Sequence, residues 1–170
     1  MRDIRRWVCT IGLVMPLGAA AQSDEVFIGC GQTELLHSNT SITFDGADPK
    51  TAEVGDRRIL YWSLSDLDGH FVGTFDVVST VLGGSPEFGH YVQADGNIIV
   101  PNGEIFVNEV VYLGDAADTG RSGEDQQVIE LIVTGGTGQF SGASGTVSIT
   151  VPEYQDDHLR DRPMSLDIRC

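Results

Sequence analysis

The stretch Gln126–Val151, QQVIELIVTGGTGQFSGASGTVSITV, constrains this chain more than any other. Two runs rich in β-branched residues, Val128–Thr134 and Thr146–Val151, flank glycines and small residues from Gly135 to Gly145. Leu131-Ile132-Val133 followed by Thr134-Gly135-Gly136-Thr137-Gly138 looks like the phosphate turn of a nucleotide-binding sheet. That turn must open a helix, because the pyrophosphate sits on the free N–H groups of the first helical turn. Here Ser141 holds the place of the third glycine, and Gly142-Ala143-Ser144-Gly145 leads into a second β run. Glycines and alternating β-branched residues do not form a helix. A P-loop fails as well, for want of Gly-Lys-Ser/Thr. The segment reads as strand–turn–strand, with glycines allowing positive φ and close backbone approach. Phe140, its one large apolar side chain, is expected to anchor the turn to a core.

The rest of the chain reads as strands and turns. Val26–Leu36 supplies a first, irregular strand and Ser41–Phe44 a short β piece, before the polar loop Asp45–Asp56. In Arg57–Ser65, Arg58, Leu60, Trp62 and Leu64 share one face. Asp66-Leu67-Asp68-Gly69 is a hairpin turn into His70–Leu82, where Phe71, Phe75, Val77 and Val81 share a face. Gly83–Glu87 breaks the chain, and Gly89–Val100 follows with a bulge or kink expected at Asp95-Gly96. Pro101-Asn102-Gly103 turns into Glu104–Leu113, and Gly114–Asp125 is a long polar loop. Pro152–Pro163 is a charged loop, after which Met164, Leu166, Ile168 and Cys170 alternate with polar residues. No stretch holds a helical period. About eight strands joined by hairpins predict an all-β fold, a closed antiparallel β-barrel or a sandwich; closure favours the barrel because it removes exposed edges.

The residues Gly135, Gly136, Thr137, Gly138, Phe140, Gly142, Ala143 and Gly145 carry a resemblance. With their neighbours they are similar to the G-G-T-G-x-[FY]-x-x-A-x-G signature of the dirigent and allene oxide cyclase-like barrel superfamily, many of whose members carry Arg where this chain has Ser144. Asp66-Leu67-Asp68-Gly69-His70-Phe71-Val72-Gly73 resembles the superfamily's D-x-D-G hairpin, and Val100-Pro101-Asn102-Gly103-Glu104-Ile105 its L-P-D/N-G-x-I turn. The matches keep their order from Gly55 to Val151. The resemblance implies the eight-stranded closed barrel, a trimer, no cofactor, and an apolar small molecule as partner. Allene oxide cyclases close a reactive epoxide in an apolar barrel; dirigent proteins hold reactive intermediates and steer their coupling or cyclisation. No catalytic residue of either family is matched position by position in this chain.

The N-terminus reads as an export signal. Arg2, Arg5 and Arg6 precede the apolar run Trp7–Leu17, and Ala19-Ala20-Ala21 is a small-residue cleavage site. The run is too short to span a membrane. We expect cleavage after Ala21, one domain over residues 22–170, and a periplasmic or extracellular destination; Arg5-Arg6 leaves twin-arginine export open beside ordinary secretion. The formal charge is −15, and losing Arg2, Asp3, Arg5 and Arg6 removes a net +2, leaving about −17. Such a chain is a poor partner for nucleic acid or anionic membranes. Cys30 and Cys170 remain after Cys9 leaves with the signal. In an oxidising compartment they most simply pair, with free thiols or an intermolecular bond as alternatives.

Candidate chemistry is sparse. The four histidines, His37, His70, His90 and His158, include no close pair at ligand spacing, so no metal site is expected. Asp66/Asp68 and Asp115/Asp118 fit turns as well as they fit calcium. No G-x-S-x-G elbow is present. Glu109 shares a strand face with Ile105, Val107, Val111 and Leu113, which makes it a candidate general acid in a lumen; Glu130, between Val128 and Ile132, is a second. Tyr61, Trp62, Phe71 and Phe75 are candidates to line a ligand pocket. The function expected is a cofactor-free exported barrel that binds an apolar small molecule, either a cyclase or isomerase or a dirigent-like coupling-steering protein. The alternative is a non-catalytic binding or interaction barrel in the cell envelope or extracellular space.

Overall fold

A computed structural model describes residues 28–46, 52–85, 89–113, 127–151 and 161–170. The signal segment and its cleavage site, the Asp115/Asp118 pair and His158 lie outside the described residues. The described residues form eight strands: β1 (Gly31–Asp45), β2 (Arg57–Ser65), β3 (Phe71–Ser85), β4 (Gly89–Val100), β5 (Gly103–Leu113), β6 (Gln127–Gly136), β7 (Ser144–Val151) and β8 (Arg162–Arg169). Each pairs antiparallel with the next, and β8 closes on β1 from Gly31↔Ile168 to His37↔Arg162. The barrel choice over the sandwich therefore holds. Among the described residues no helix is long and apolar enough to cross a membrane.

Alternating strand direction divides the barrel into two ends. The lower rim carries the turns after β2, β4 and β6, together with Cys30 and Cys170. Those cysteines are joined, with Cα atoms 5.9 Å apart across 140 residues of chain. The upper end carries the connections after β1, β3, β5 and β7.

Strand side chains alternate faces, so a closed ring has one inner and one outer set. Met164, Leu166 and Ile168 of β8 point in, while Pro163 and Asp167 point out. The lower lumen is filled by Ile28, Leu35, Ile105, Phe140 and Ile168, each at most 1% exposed. Ile28 lies across this end, and its carbonyl accepts from Asn102 Nδ2 at 2.7 Å and Gln139 Nε2 at 2.6 Å.

The β6–β7 turn is tight as expected and contains a single 3-10 turn, Gly138–Phe140. Ala143 N donates to the Phe140 carbonyl at 2.9 Å, which closes the turn over the buried ring. Gly145 has φ +141°, and a Cβ there would sit on the Asp167 carbonyl of β8. Only glycine fits a backbone that is both left-handed and this close to its neighbour.

Three local expectations are corrected. The first two β pieces are one strand, β1, with a register shift between Asn39 and Ser41; that bulge hides the alternation of period two. Asp95-Gly96 is not a bulge, since its register with β3 and β5 is unbroken. Gly96 is there because a Cβ would meet the Phe75 ring. β8 begins at Arg162, inside the expected charged loop.

Candidate functional site

Above the filled lower lumen the inner wall changes character. Ser79, Ala94 and Glu109 lie in one row across β3, β4 and β5. Ser79 and Ala94 are small and buried, and Glu109 is half-buried. Glu109 is thus on the inward set with Val107 and Val111, as its strand pattern implies. The β5–β6 ladder ends one residue before it, at Asn108↔Ile132. The Val110 N–H, beyond that ladder, donates to Glu109 Oε1 at 2.9 Å. The carboxylate therefore sits where two wall strands part, and one of its oxygens is already held by the backbone.

Strands β1 to β3, four to two strands round the ring from β5, hold an aromatic group. Trp62 is 4% exposed and packs edge-on to Phe75, with ring centroids 5.2 Å apart. His37 lies against the other side of Trp62 at 4.7 Å and is 2% exposed. Its Nε2 is 3.0 Å from the Thr150 carbonyl oxygen, one residue past the last β7–β8 ladder pair, Ile149↔Met164. A carbonyl only accepts, so Nε2 carries the proton and Nδ1 of the neutral ring is an acceptor. Burial pushes the His37 imidazole down to about 4; the Thr150 hydrogen bond opposes the drop, Arg162 adds to it, and Asp161 opposes it. Arg162, the buried residue paired with His37 in register, begins β8.

Two atoms in this group stand out. Among the described residues, His37 Nδ1 and Trp62 Nε1 are buried side-chain atoms without a hydrogen-bond partner. A buried donor or acceptor left unpaired costs about 1–3 kcal/mol.

The structure sorts the sequence candidates. Trp62, Phe75 and Glu109 face the lumen. Glu130 does not: it is exposed on the outer face of β6, where Leu131 and Val133 take the inner one. Tyr61 is 45% exposed outside, as the immediate neighbour of an inward Trp62 must be. Phe71 has the inward parity of Phe75 but sits at the lower rim beyond the register shift at Leu64/Ser65, and is 69% exposed. It borders a shallow surface hollow of about 460 Å³ with Val72, Thr74, Ile99 and Pro101. His37, Ser79, Ala94 and Arg162 were not singled out as site residues in the sequence. The spacing of the histidines tests only for metal pairs, and nothing local marks a lone histidine as inward.

The Asp66–His70 turn brings Asp66, Asp68 and His70 together on the surface. Asp66 Oδ1 accepts from the Asp68 and His70 N–H groups at 3.0 and 2.8 Å, and Oδ2 lies 3.0 Å from His70 Nδ1. The Asp66 carboxylate holds the His70 imidazole above its usual range, and the His70 backbone hydrogen bond holds Asp66 below its own. Those bonds use both Asp66 oxygens to shape a hairpin turn.

No protein-family model and no curated protein matches the chain. Solved structures do. The barrel is similar to pyocyanin demethylase, with a TM-score of 0.62 and 19% identity over 81% of this chain and 99% of that one. It is similar to the Diels-Alderase AbmU from Streptomyces koyangensis, with a TM-score of 0.61 and 17% identity over 81% of this chain and 63% of that one. It is also similar to the pterocarpan synthase dirigent protein PsPTS1, with a TM-score of 0.54 and 14% identity over 84% of this chain and 96% of that one. The fold is therefore that of the dirigent and cyclase barrels. The same scaffold carries a demethylase, a Diels-Alderase and a dirigent protein, so the fold alone assigns no function.

Proposed function

We propose that this protein is an exported barrel that binds an apolar small molecule in its upper lumen and promotes its cyclisation or isomerisation, or steers its coupling, without a cofactor. The observation that carries this reading is Glu109, a half-buried carboxylate on the inward face of β5 between the buried Val107 and Val111, beside the small side chains Ala94 and Ser79. A neutral Glu109 can donate a proton to a ligand oxygen, and a charged one can take a proton from carbon or oxygen; both serve ring closure and isomerisation. The side chains of Ala94 and Ser79 are smaller than those of Ile105 and Phe140, which fill the lower lumen. The inward faces of Trp62 and Phe75 supply flat apolar walls.

The test is titration of the full chain with Nile red, a neutral apolar dye. Saturable binding is expected, with Glu109→Gln changing the affinity by less than about threefold, because a hydrogen bond to one carboxyl contributes little to an apolar ligand. Turnover of any substrate found by screening epoxides and quinone methides should vanish in the same variant. No saturable dye binding would sink the reading and favour an interaction barrel, to which the packed Trp62, Phe75 and Leu64 side chains also lend themselves.

A further inference from the structure

The mechanism sketched above uses Glu109 for proton transfer and the Trp62 and Phe75 rings only as apolar walls. The wall built by β1 and β2 holds two polar atoms that nothing among the described residues satisfies. His37 Nδ1 is an acceptor, because the ring's one proton is committed to the Thr150 carbonyl. Trp62 Nε1–H is a donor only. Both are sealed from solvent, lack partners among the described residues, and belong to rings whose centroids are 4.7 Å apart. A buried polar group without a partner calls for an explanation, and a bound group that meets both atoms is one.

We infer that His37 and Trp62 form the polar anchor of the lumen and hold the neutral hydroxyl group of a ring-bearing apolar ligand, such as a phenol or an enol. This rests on the small-molecule reading of the lumen. Complementarity selects the class. The bound group must donate to Nδ1 and accept from Nε1–H, and a hydroxyl does both at one oxygen. A ketone or ether accepts from Trp62 but leaves Nδ1 unpaired. A carboxylate cannot donate to Nδ1 at all. The ring character follows from the walls, the Trp62 and Phe75 rings standing edge to face at 5.2 Å. Burial holds the His37 imidazole at about 4, so it accepts the hydroxyl's hydrogen bond without taking its proton. His37 is therefore a positioning residue, and proton transfer stays with the Glu109 side.

Three probes test this on the full chain: biphenyl, 4-methoxybiphenyl and 4-phenylphenol. The phenol is expected to bind about tenfold more tightly than the methyl ether, the upper range of one net hydrogen bond. The Trp62 indole N–H should move downfield in the ¹H–¹⁵N spectrum when the phenol binds. The chain has two tryptophans, Trp7 and Trp62, and Trp62→Phe assigns the signal. His37→Phe and Trp62→Phe should each bring the phenol down to the affinity of the ether, with biphenyl binding retained and cooperative melting confirming that each variant folds. The phenol–ether comparison in the unaltered protein needs no variant. Biphenyl binding with no advantage for the hydroxyl overturns the anchor alone and assigns the two atoms to a resident water. A phenol advantage that survives in both variants overturns it too. Binding of none of the three removes the small-molecule reading together with the anchor.

Discussion

At the lower rim of the barrel the hairpin turns, the Cys30–Cys170 bridge and the Phe140 ring close the ring of strands, and Ile28 lies across the opening with its carbonyl bonded twice. At the upper end the β5–β6 ladder stops at Asn108↔Ile132, Glu109 turns to its own backbone, and His37 and Trp62 keep unpaired atoms. The same strands build both ends. The lower one is packed with fully buried apolar side chains and leaves one buried polar atom, Asn102 Oδ1, without a partner among the described residues; the upper one leaves two, His37 Nδ1 and Trp62 Nε1. On the proposed function, stability and binding are separated along one axis, with a rigid base beneath a site that accepts another molecule.

The comparison breaks most visibly at the bridge. Cys170→Ser, or reduction, should lower the unfolding free energy by up to about 5 kcal/mol, the chain-entropy value for a loop of this length. Urea denaturation with and without reductant measures it, and no shift in midpoint would mean that the lower hairpins hold the rim without help. Phe140→Ala should follow at about 3–5 kcal/mol, because it empties a fully buried aromatic site beneath the Gly138–Phe140 turn. Both changes act at the lower rim, so Nile red affinity under conditions that keep the variants folded should be unaltered. Loss of binding in parallel with stability would show that the two ends are not separable.

The lower end was legible in the sequence and the upper one only in part, for a physical reason. Backbone geometry dictates residue type at Gly145, where a left-handed φ and the Asp167 carbonyl exclude any side chain, so the glycine pattern states the turn directly. Period-two alternation likewise places Trp62, Phe75 and Glu109 inside. It equally places Tyr61 outside, and grouping that residue with Trp62 set aromatic character above alternation. Glu130 misled because its apolar sequence neighbours, Val128 and Ile132, are themselves exposed on the outer face, at 63% and 40%. His37 was illegible. The bulge at Asn39/Ser41 breaks the pattern of its strand, and its partner Thr150 is 113 residues away. An unpaired atom is a property of assembled walls and leaves no mark on local sequence.

The smallest effect is also the most specific, because it reads the upper end through a titration. The His37 imidazole falls from its ordinary 6.5 to about 4 in the folded chain. The unfolded chain takes up this proton as pH drops through 6.5, and the folded chain does so only near 4. Between those values the unfolded state holds more protons, so folding stability declines as pH falls through that window and levels off below it. The contribution is about 3 kcal/mol at most. Burial sets it; the Thr150 carbonyl on β7 opposes the drop, Arg162 at the start of β8 adds to it and Asp161 opposes it, while Trp62 and Leu64 on β2 carry no charge. The chain's many carboxylates titrate in the same range, so the measurement is a difference. His37→Gln can still donate to the Thr150 carbonyl but does not titrate, and it should lose about 3 kcal/mol less than the parent between neutral pH and about 4. Urea midpoints across that range check this. Identical pH profiles for parent and variant would mean that His37 meets solvent, and the upper lumen would then be open and wet on the very wall where the Trp62–His37 contact is packed.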